Sequence, residues 1–234
     1  RMWDAAGGEA VRTLVGHEGM VVGCAISPDG TRIVSVGQDH TVRIWDACSG
    51  RTLEILRGHA DEVWSCAITP DGRRIVSAGK DGTVRVWDAA TGELERVLVG
   101  HEDWMGGGAV GPDAQRVFSS SYDGTVRVWQ LTDGAEVLVA PLAGAVLCVA
   151  AHPSCPVVAC GGGFHIAELV GIDYGAIIVT ARHTTDGLVV DCPACGHTHA
   201  VALDQLGAEL TCVESVCGLR MRLNPFVVTQ VGRA

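Results

Sequence analysis

Two groups of side chains in this chain have the types and spacing for chemistry. The first is a histidine, a serine and an aspartate spaced by 18 and then 4 residues: His17, Ser35 and Asp39. Taken alone, such a trio could be a hydrolase triad, with serine as nucleophile, histidine as base and aspartate as orienting group. The trio recurs, however, as His59, Ser77 and Asp81, and again as His101, Ser119 and Asp123. A catalytic site occurs once per fold, whereas repetition at one spacing argues for architecture. Each trio is followed at a fixed distance by a tryptophan: Trp45, Trp87 and Trp129. Imidazole needs an acceptor and indole nitrogen is a donor only, so these four residue types can satisfy one another in a buried network.

The second group is Cys192, Cys195, Cys212 and Cys217, two close pairs separated by 16 residues. Four thiolates are the soft donor set that tetrahedral zinc prefers, and four of them leave no open coordination position. The expectation is one structural zinc. The second pair has a four-residue spacer where the first has two. His197 and His199 lie near the first pair and are alternative ligands or surface residues. Free or disulfide-bonded cysteines are the competing reading.

These residues need elements to hold them. Trp3-Asp4, Trp45-Asp46 and Trp87-Asp88 recur every 42 residues, and Trp129-Gln130 keeps the register. Gly16-His17, Gly58-His59 and Gly100-His101 share that interval, as do Pro28-Asp29, Pro70-Asp71 and Pro112-Asp113. Within one unit, Val21 to Ile26 reads as a strand ended by Ser27-Pro28-Asp29-Gly30, a turn in which proline supplies its fixed φ. Arg32 to Val36, Thr41 to Trp45 and Arg51 to Leu56 read as three more strands. Four strands make an antiparallel sheet that cannot bury both faces alone, and packing such sheets around an axis solves the problem.

These units resemble the WD-repeat family: a Gly-His pair, an apolar strand, Ser-Pro-Asp-Gly, a strand ending near Ser, an Asp turn, then Thr-Val-Arg-Val-Trp-Asp. The resemblance is strong over residues 1–130 and weak over 131–181. It implies an all-β fold, a partial β-propeller of about four blades, whose remaining blades and any partner domain lie in further N-terminal sequence. It also implies that His17, Ser35, Asp39 and Trp45, with their counterparts in the next two units, form a structural hydrogen-bond network. In the degenerate fourth unit, Val146 to Ala151 is expected as the first strand, Phe164 to Glu168 as the third and Ile177 to Val179 as a last one. Residues 182–234 are expected to form a small zinc-ribbon-like segment, too short for a good core without metal.

Propellers of this kind bind partners on the face around the central channel. By register that face carries Met20, Glu62 and Trp104, then Val22, Trp64 and Gly106, then Gln38, Lys80 and Tyr122. Trp64, Trp104 and Tyr122 break the repeat pattern, and exposed aromatics are favoured interface anchors. The competing reading is that each merely packs into its blade.

Composition narrows the function. The chain has 31 glycines, three phenylalanines and two tyrosines, a balance that suits short strands and tight turns. Its formal charge of −10 should repel nucleic acid and anionic membranes. The tail after residue 181 carries four arginines against five acids, no footprint for nucleic acid. No apolar run approaches the roughly 18 residues of a membrane helix. Single cysteines scattered through apolar stretches point to a reduced, cytoplasmic setting. The expected role is a non-enzymatic scaffold or sensor that binds other proteins. Near-identical consecutive units are similar to those of bacterial WD-repeat proteins, in which a propeller follows an ATPase, protease or kinase domain. The rivals are a nucleic-acid-binding ribbon and an enzyme with its site in the channel.

Overall fold

The computed structural model describes residues 1–142, 144–152 and 157–163, then 168–173, 176–179, 182–184, 187–191, 198–202, 205, 209–211, 213 and 220–223. Among these there is no α-helix. Two short strands come first, β1 (Met2–Trp3) and β2 (Ala10–Arg12), paired with each other. Three four-stranded antiparallel sheets follow. The first is β3 (Val21–Ile26), β4 (Arg32–Gly37), β5 (Thr41–Asp46) and β6 (Thr52–Arg57). The second is β7 (Val63–Ile68), β8 (Arg74–Gly79), β9 (Thr83–Asp88) and β10 (Leu94–Val99). The third is β11 (Met105–Val110), β12 (Arg116–Ser121), β13 (Thr125–Gln130) and β14 (Glu136–Pro141).

Each sheet is a simple meander, because each connection is a tight turn. Ser27 Oγ donates to Asp29, whose carboxylate also takes the Thr31 amide, closing the turn between β3 and β4. Gly30 and Gly72 end these turns with φ of 70°, a left-handed conformation that glycine adopts freely. Strands β4, β8 and β12 are buried on both faces from their second residue onward. That double burial follows from stacking. Val34, Val36, Val42, Ile44 and Leu56 of the first sheet form one core with Val63, Ile75 and Trp87 of the second. Val76, Ala78, Val84 and Leu98 of the second do the same with Met105, Val117 and Trp129 of the third. The first strands β3, β7 and β11 lie side by side along one edge of the stack. The sheets are therefore blades set around a common inner edge.

The fourth unit departs from this pattern. β15 (Val146–Ala151) is where the sequence placed it. β16 (Val157–Gly162) and β17 (Glu168–Asp173) follow, and β17 takes in Glu168, the last residue of the expected third strand. Residues 164–167 lie outside the described set. β18 (Ala176–Val179) completes the meander. Next come β19 (Arg182–Thr184), β20 (Gly187–Asp191) and β21 (Thr198–Val201), which form a separate three-stranded sheet. The last strands, β22 (Glu209–Thr211) and β23 (Arg220–Leu223), return to the fourth sheet, β23 lying parallel to β18. Leu188, Val190 and Val201 share a core with Phe118, Val146 and Val158, so strands on both sides of residue 181 belong to one packed unit.

Ser120 sits in the β12 register of Val36 and Ala78, two fully buried apolar residues. Its hydroxyl is also fully buried and has no hydrogen-bond partner. A buried hydroxyl without a partner destabilises by roughly 1–3 kcal/mol. Ser120→Ala is therefore expected to raise stability by about 1 kcal/mol in urea melts. A lower midpoint for the variant would show that Ser120 does have a partner.

Candidate functional site

The recurring His, Ser, Asp and Trp residues converge within each blade. In the second, His59 Nδ1 lies 2.9 Å from Asp81 Oδ2, and His59 Nε2 lies 2.8 Å from Ser77 Oγ. Trp87 Nε1 donates to the same hydroxyl at 2.9 Å. The first blade repeats this with His17, Asp39, Ser35 and Trp45, each contact at 2.8 Å. The third has His101 to Asp123 at 2.7 Å, His101 to Ser119 at 2.8 Å and Trp129 to Ser119 at 2.7 Å. One proton assignment satisfies every member. The indole donates to serine, serine donates to Nε2 of a neutral imidazole, and Nδ1–H donates to aspartate.

This arrangement has the distances of a hydrolase triad but not its access. Ser77 and Ser119 are fully buried, and the hydroxyl that would attack already accepts an indole hydrogen bond. No substrate carbonyl can reach it, so these trios are structural.

Sequence reasoning missed two contributors. Thr41, Thr83 and Thr125 each donate to the aspartate of their own blade, at 2.8, 2.8 and 2.7 Å. Arg43, Arg85 and Arg127 press their guanidinium groups against the glycine of the Gly-His pair. A Cβ built on Gly16, Gly58 or Gly100 would come within 2.7 Å of one of these nitrogens. Both residues stand in every Thr-Val-Arg-Ile/Val-Trp strand, so the signal was present in the repeat. It reads as a solvent-facing arginine unless the neighbouring backbone is known.

The residues that leave the repeat pattern also converge. Trp64 extends from β7 in the second blade, while Trp104 and Tyr122 belong to the third. All three ring pairs have centroids 5.9 Å apart, at interplanar angles of 73°, 69° and 60°. Edge-to-face contacts of this kind are favourable beyond the area they bury. Lys80 Nζ lies 4.4 Å from the Trp104 centroid, a cation–π contact. Trp64 Nε1 donates to Glu62 at 3.1 Å. Trp104 remains 44% exposed and Tyr122 36% exposed.

The same backbone device positions these side chains in each blade. The amide of Gln38 donates to the Met20 carbonyl, Lys80 to Glu62 and Tyr122 to Trp104, at 3.0, 2.8 and 2.9 Å. Each pair thus sits at the inner end of its blade. In the first blade the pair is Met20, 66% exposed, and Gln38, with Val22 exposed beside it, and no aromatic group is present there. Gly106 occupies the Trp64 position of the third blade, and a Cβ there would lie 2.2 Å from the Val146 carbonyl oxygen. A side chain is impossible at that point because the next sheet approaches too closely.

A separate cleft of about 510 Å³ opens between the first two blades, near Arg32, Arg74 and Glu95. Arg74 and Glu95, both of the second blade, pair with each other at 2.8 Å on the cleft wall. Among the described residues no cluster of three or more potential metal ligands occurs. Cys192, Cys195, Cys212, Cys217 and His197 fall outside those residues. His199 is buried on β21, opposite Val190.

Comparison with known proteins bears on these geometries. The family model described as "WD domain, G-beta repeat" matches residues 8–46, 50–88 and 92–130, half of the chain. The chain belongs to this family. Its WD repeats are offset from the blades, since the match beginning at residue 50 takes in β6 of one blade and β7 to β9 of the next. No curated protein matches it. A solved structure of U3-55K aligns with a TM-score of 0.68 at 25% identity, over 76% of this chain and 56% of that one. A crystal structure of RRP9 WD40 repeats aligns with a TM-score of 0.64 at 22% identity, over 76% of this chain and 59% of that one. The chain spans less than two thirds of the length of either. No described helix is long and apolar enough to cross a membrane.

The network makes the WD blades sensitive to acid. Burial holds His101 below the ordinary histidine value of 6.5, against the upward pull of Asp123. Burial raises the Asp39 carboxyl, but hydrogen bonds from Thr41, the Glu18 amide and His17 outweigh it and bring it to about 2. Asp81 and Asp123 are lowered by the equivalent bonds against the same effect of burial. A histidine whose folded value is depressed loses stability as pH falls through its unfolded value, because the unfolded chain takes up the proton first. The aspartates contribute fully above the ordinary carboxylate value of 3.8 and lose their contribution as pH falls towards their folded values. The melting temperature should therefore fall below pH 6.5 and fall again below pH 3.8. A constant melting temperature from pH 7 to 5 would contradict the His101 part.

Proposed function

We propose that the chain is a protein-docking module whose contact surface is the patch formed by Trp64, Trp104 and Tyr122, with Glu62 and Lys80 beside them and Met20 and Gln38 further round the same inner edge. The observation that carries this reading is the convergence of three aromatic residues from two blades, all outside the repeat pattern and with Trp104 substantially exposed. The His, Ser, Asp and Trp of each relay satisfy one another without these rings. Aromatic side chains supply large contact area at small entropic cost and dominate interface energies. WD repeats are, as a family, mediators of protein–protein assembly, and the comparisons above are consistent with that role.

The near identity of consecutive units supports placing the module in a bacterial signalling or defence protein, where docking would be relayed to an effector such as an ATPase, protease or kinase domain. The gene's upstream reading frame tests that placement directly.

The tail is proposed to hold one structural zinc through Cys192, Cys195, Cys212 and Cys217. Donor type and spacing support it. So does the pairing of the flanking strands. Asp191 is opposite Thr198, so the first cysteine pair lies in the connection between β20 and β21. Thr211 is opposite Arg220, so the second lies in the connection between β22 and β23. Elemental analysis should find one zinc per chain, lost in a Cys192→Ser, Cys195→Ser variant. A metal-free chain with free thiols would remove this reading.

Trp64→Ala and Trp104→Ala are each expected to weaken retention of proteins that co-purify with the full chain by about tenfold or more, equivalent to ~1.4 kcal/mol. The melting temperature should move by only a few degrees. Unchanged retention, or a collapse in thermal stability, would assign the cluster to blade packing instead.

A further inference from the structure

Resting on the docking reading above, we infer that the occupant of the aromatic patch is a protein segment that inserts an arginine or lysine side chain. Two independent features of the patch lead there. The first is the position of the chain's own lysine. Lys80 is the only lysine in the sequence, and its ammonium lies over the face of Trp104 rather than extending into water. An indole face carries negative potential and attracts cations, more strongly once water is excluded. The contact shows that this face is geometrically able to receive a cation, and Lys80 occupies it.

The second feature is the surrounding charge. The loop ahead of β7 carries Asp61 and Glu62, and the loop ahead of β11 carries Glu102 and Asp103. Gly82, in the turn that bears Lys80, has its Cβ position 3.5 Å from the His101 carbonyl oxygen and 3.6 Å from that of Asp103. The lysine turn of one blade therefore lies against the acidic loop of the next. Glu62 reaches the rings themselves through the Trp64 indole, which donates to Oε2. The loops leading into the two strands beside the rings thus hold four carboxylates, of which Glu62 contacts a ring while Asp61 and Asp103 each accept the next backbone amide, against one ammonium. Glu102 and Asp103 are exposed.

Charge complementarity then selects among occupants. An acidic segment would bring like charge against these two loops, which disfavours it at an interface. A purely apolar segment would strip water from carboxylates that keep single hydrogen bonds from Trp64 and neighbouring amides, also at a cost. A cationic side chain meets both features. Its charge lies over an indole face and its donors reach carboxylate oxygens. Arginine fits best, because its planar group stacks on a ring while its edge donates to Glu62 or Asp103. In this arrangement Lys80 is a built-in competitor. Its flexible stem swings the ammonium out when the partner's cation arrives, so the lysine lowers affinity for weakly fitting segments.

The test uses the full chain with its indole groups labelled with nitrogen-15. The Trp64 and Trp104 signals are assigned through Trp64→Phe and Trp104→Phe variants. Two 12-residue peptides of glycine and serine serve as probes, one with a central Arg-Arg pair and the other with Glu-Glu. The arginine peptide should shift the Trp104 indole signal, with an affinity that falls as salt is raised, and the glutamate peptide should not. Lys80→Met keeps the stem and removes the competing charge. It should tighten binding of the arginine peptide by about threefold, the size of one exposed cation–π contact. Preferential shifts with the glutamate peptide would overturn the cationic partner while leaving docking at the patch intact. Weaker binding of the arginine peptide to Lys80→Met would also overturn it. So would the absence of shifts from either peptide, in which case the docking reading is still decided separately by the retention of co-purifying proteins.

Discussion

The hydrogen-bond relay from tryptophan through serine and histidine to aspartate is the interaction on which the rest of the structure depends. It links four places in each blade: the third strand, the second strand, the loop ahead of the first strand and the turn between the second and third. Burying so many polar groups is tolerable only when all of them are paired. Here the neutral imidazole lets the chain of donors close without a remainder. Threonine from the third strand and the backbone amide following each histidine fill the other acceptor sites of the aspartate. The relay also acts between blades. Trp87 and Trp129, fixed by their serines, belong to the cores shared with the preceding blades.

A frame that repeats so closely leaves few positions free for specificity. Strand residues are committed to inter-blade cores, and turn residues to their own hydrogen bonds. The inner ends of the blades are the exception. There the backbone bond between the residue ahead of the first strand and the residue ahead of the turn aspartate is made whatever the side chains are. The first blade places methionine and glutamine at this point, the second glutamate and lysine, and the third tryptophan and tyrosine. The second and third blades together produce a charged aromatic surface that no single unit contains.

Beyond residue 142 the architecture relaxes. The fourth sheet has no relay, and it gains order from elsewhere in the chain. β23 joins its edge in parallel, a pairing that meanders of consecutive strands do not make. Leu188, Val190 and Val201 extend the core that begins at Phe118 and Val128. The reading of residues 182–234 as a segment separate from the blades captures the change in composition but not this shared packing.

Strand positions in the first three blades were legible because turn chemistry brackets each one, and three copies in register removed ambiguity. The membership of the relay was legible for the same reason. In the fourth unit the Trp and turn-Asp landmarks lapse, and local sequence there brackets the strands less tightly. Burial is a different matter: Trp87 is 2% exposed because it packs in a core shared by the first two blades, and which sheets surround a ring is a property of tertiary packing. The aromatic patch divides in the same way. Register alone put Trp64, Trp104 and Tyr122 at the inner ends of their blades. Only the stacking of the second blade on the third brings Trp64 within 5.9 Å of the other two rings and sets Lys80 over Trp104. Distances between residues on different blades depend on how whole sheets pack, and no local pattern encodes them.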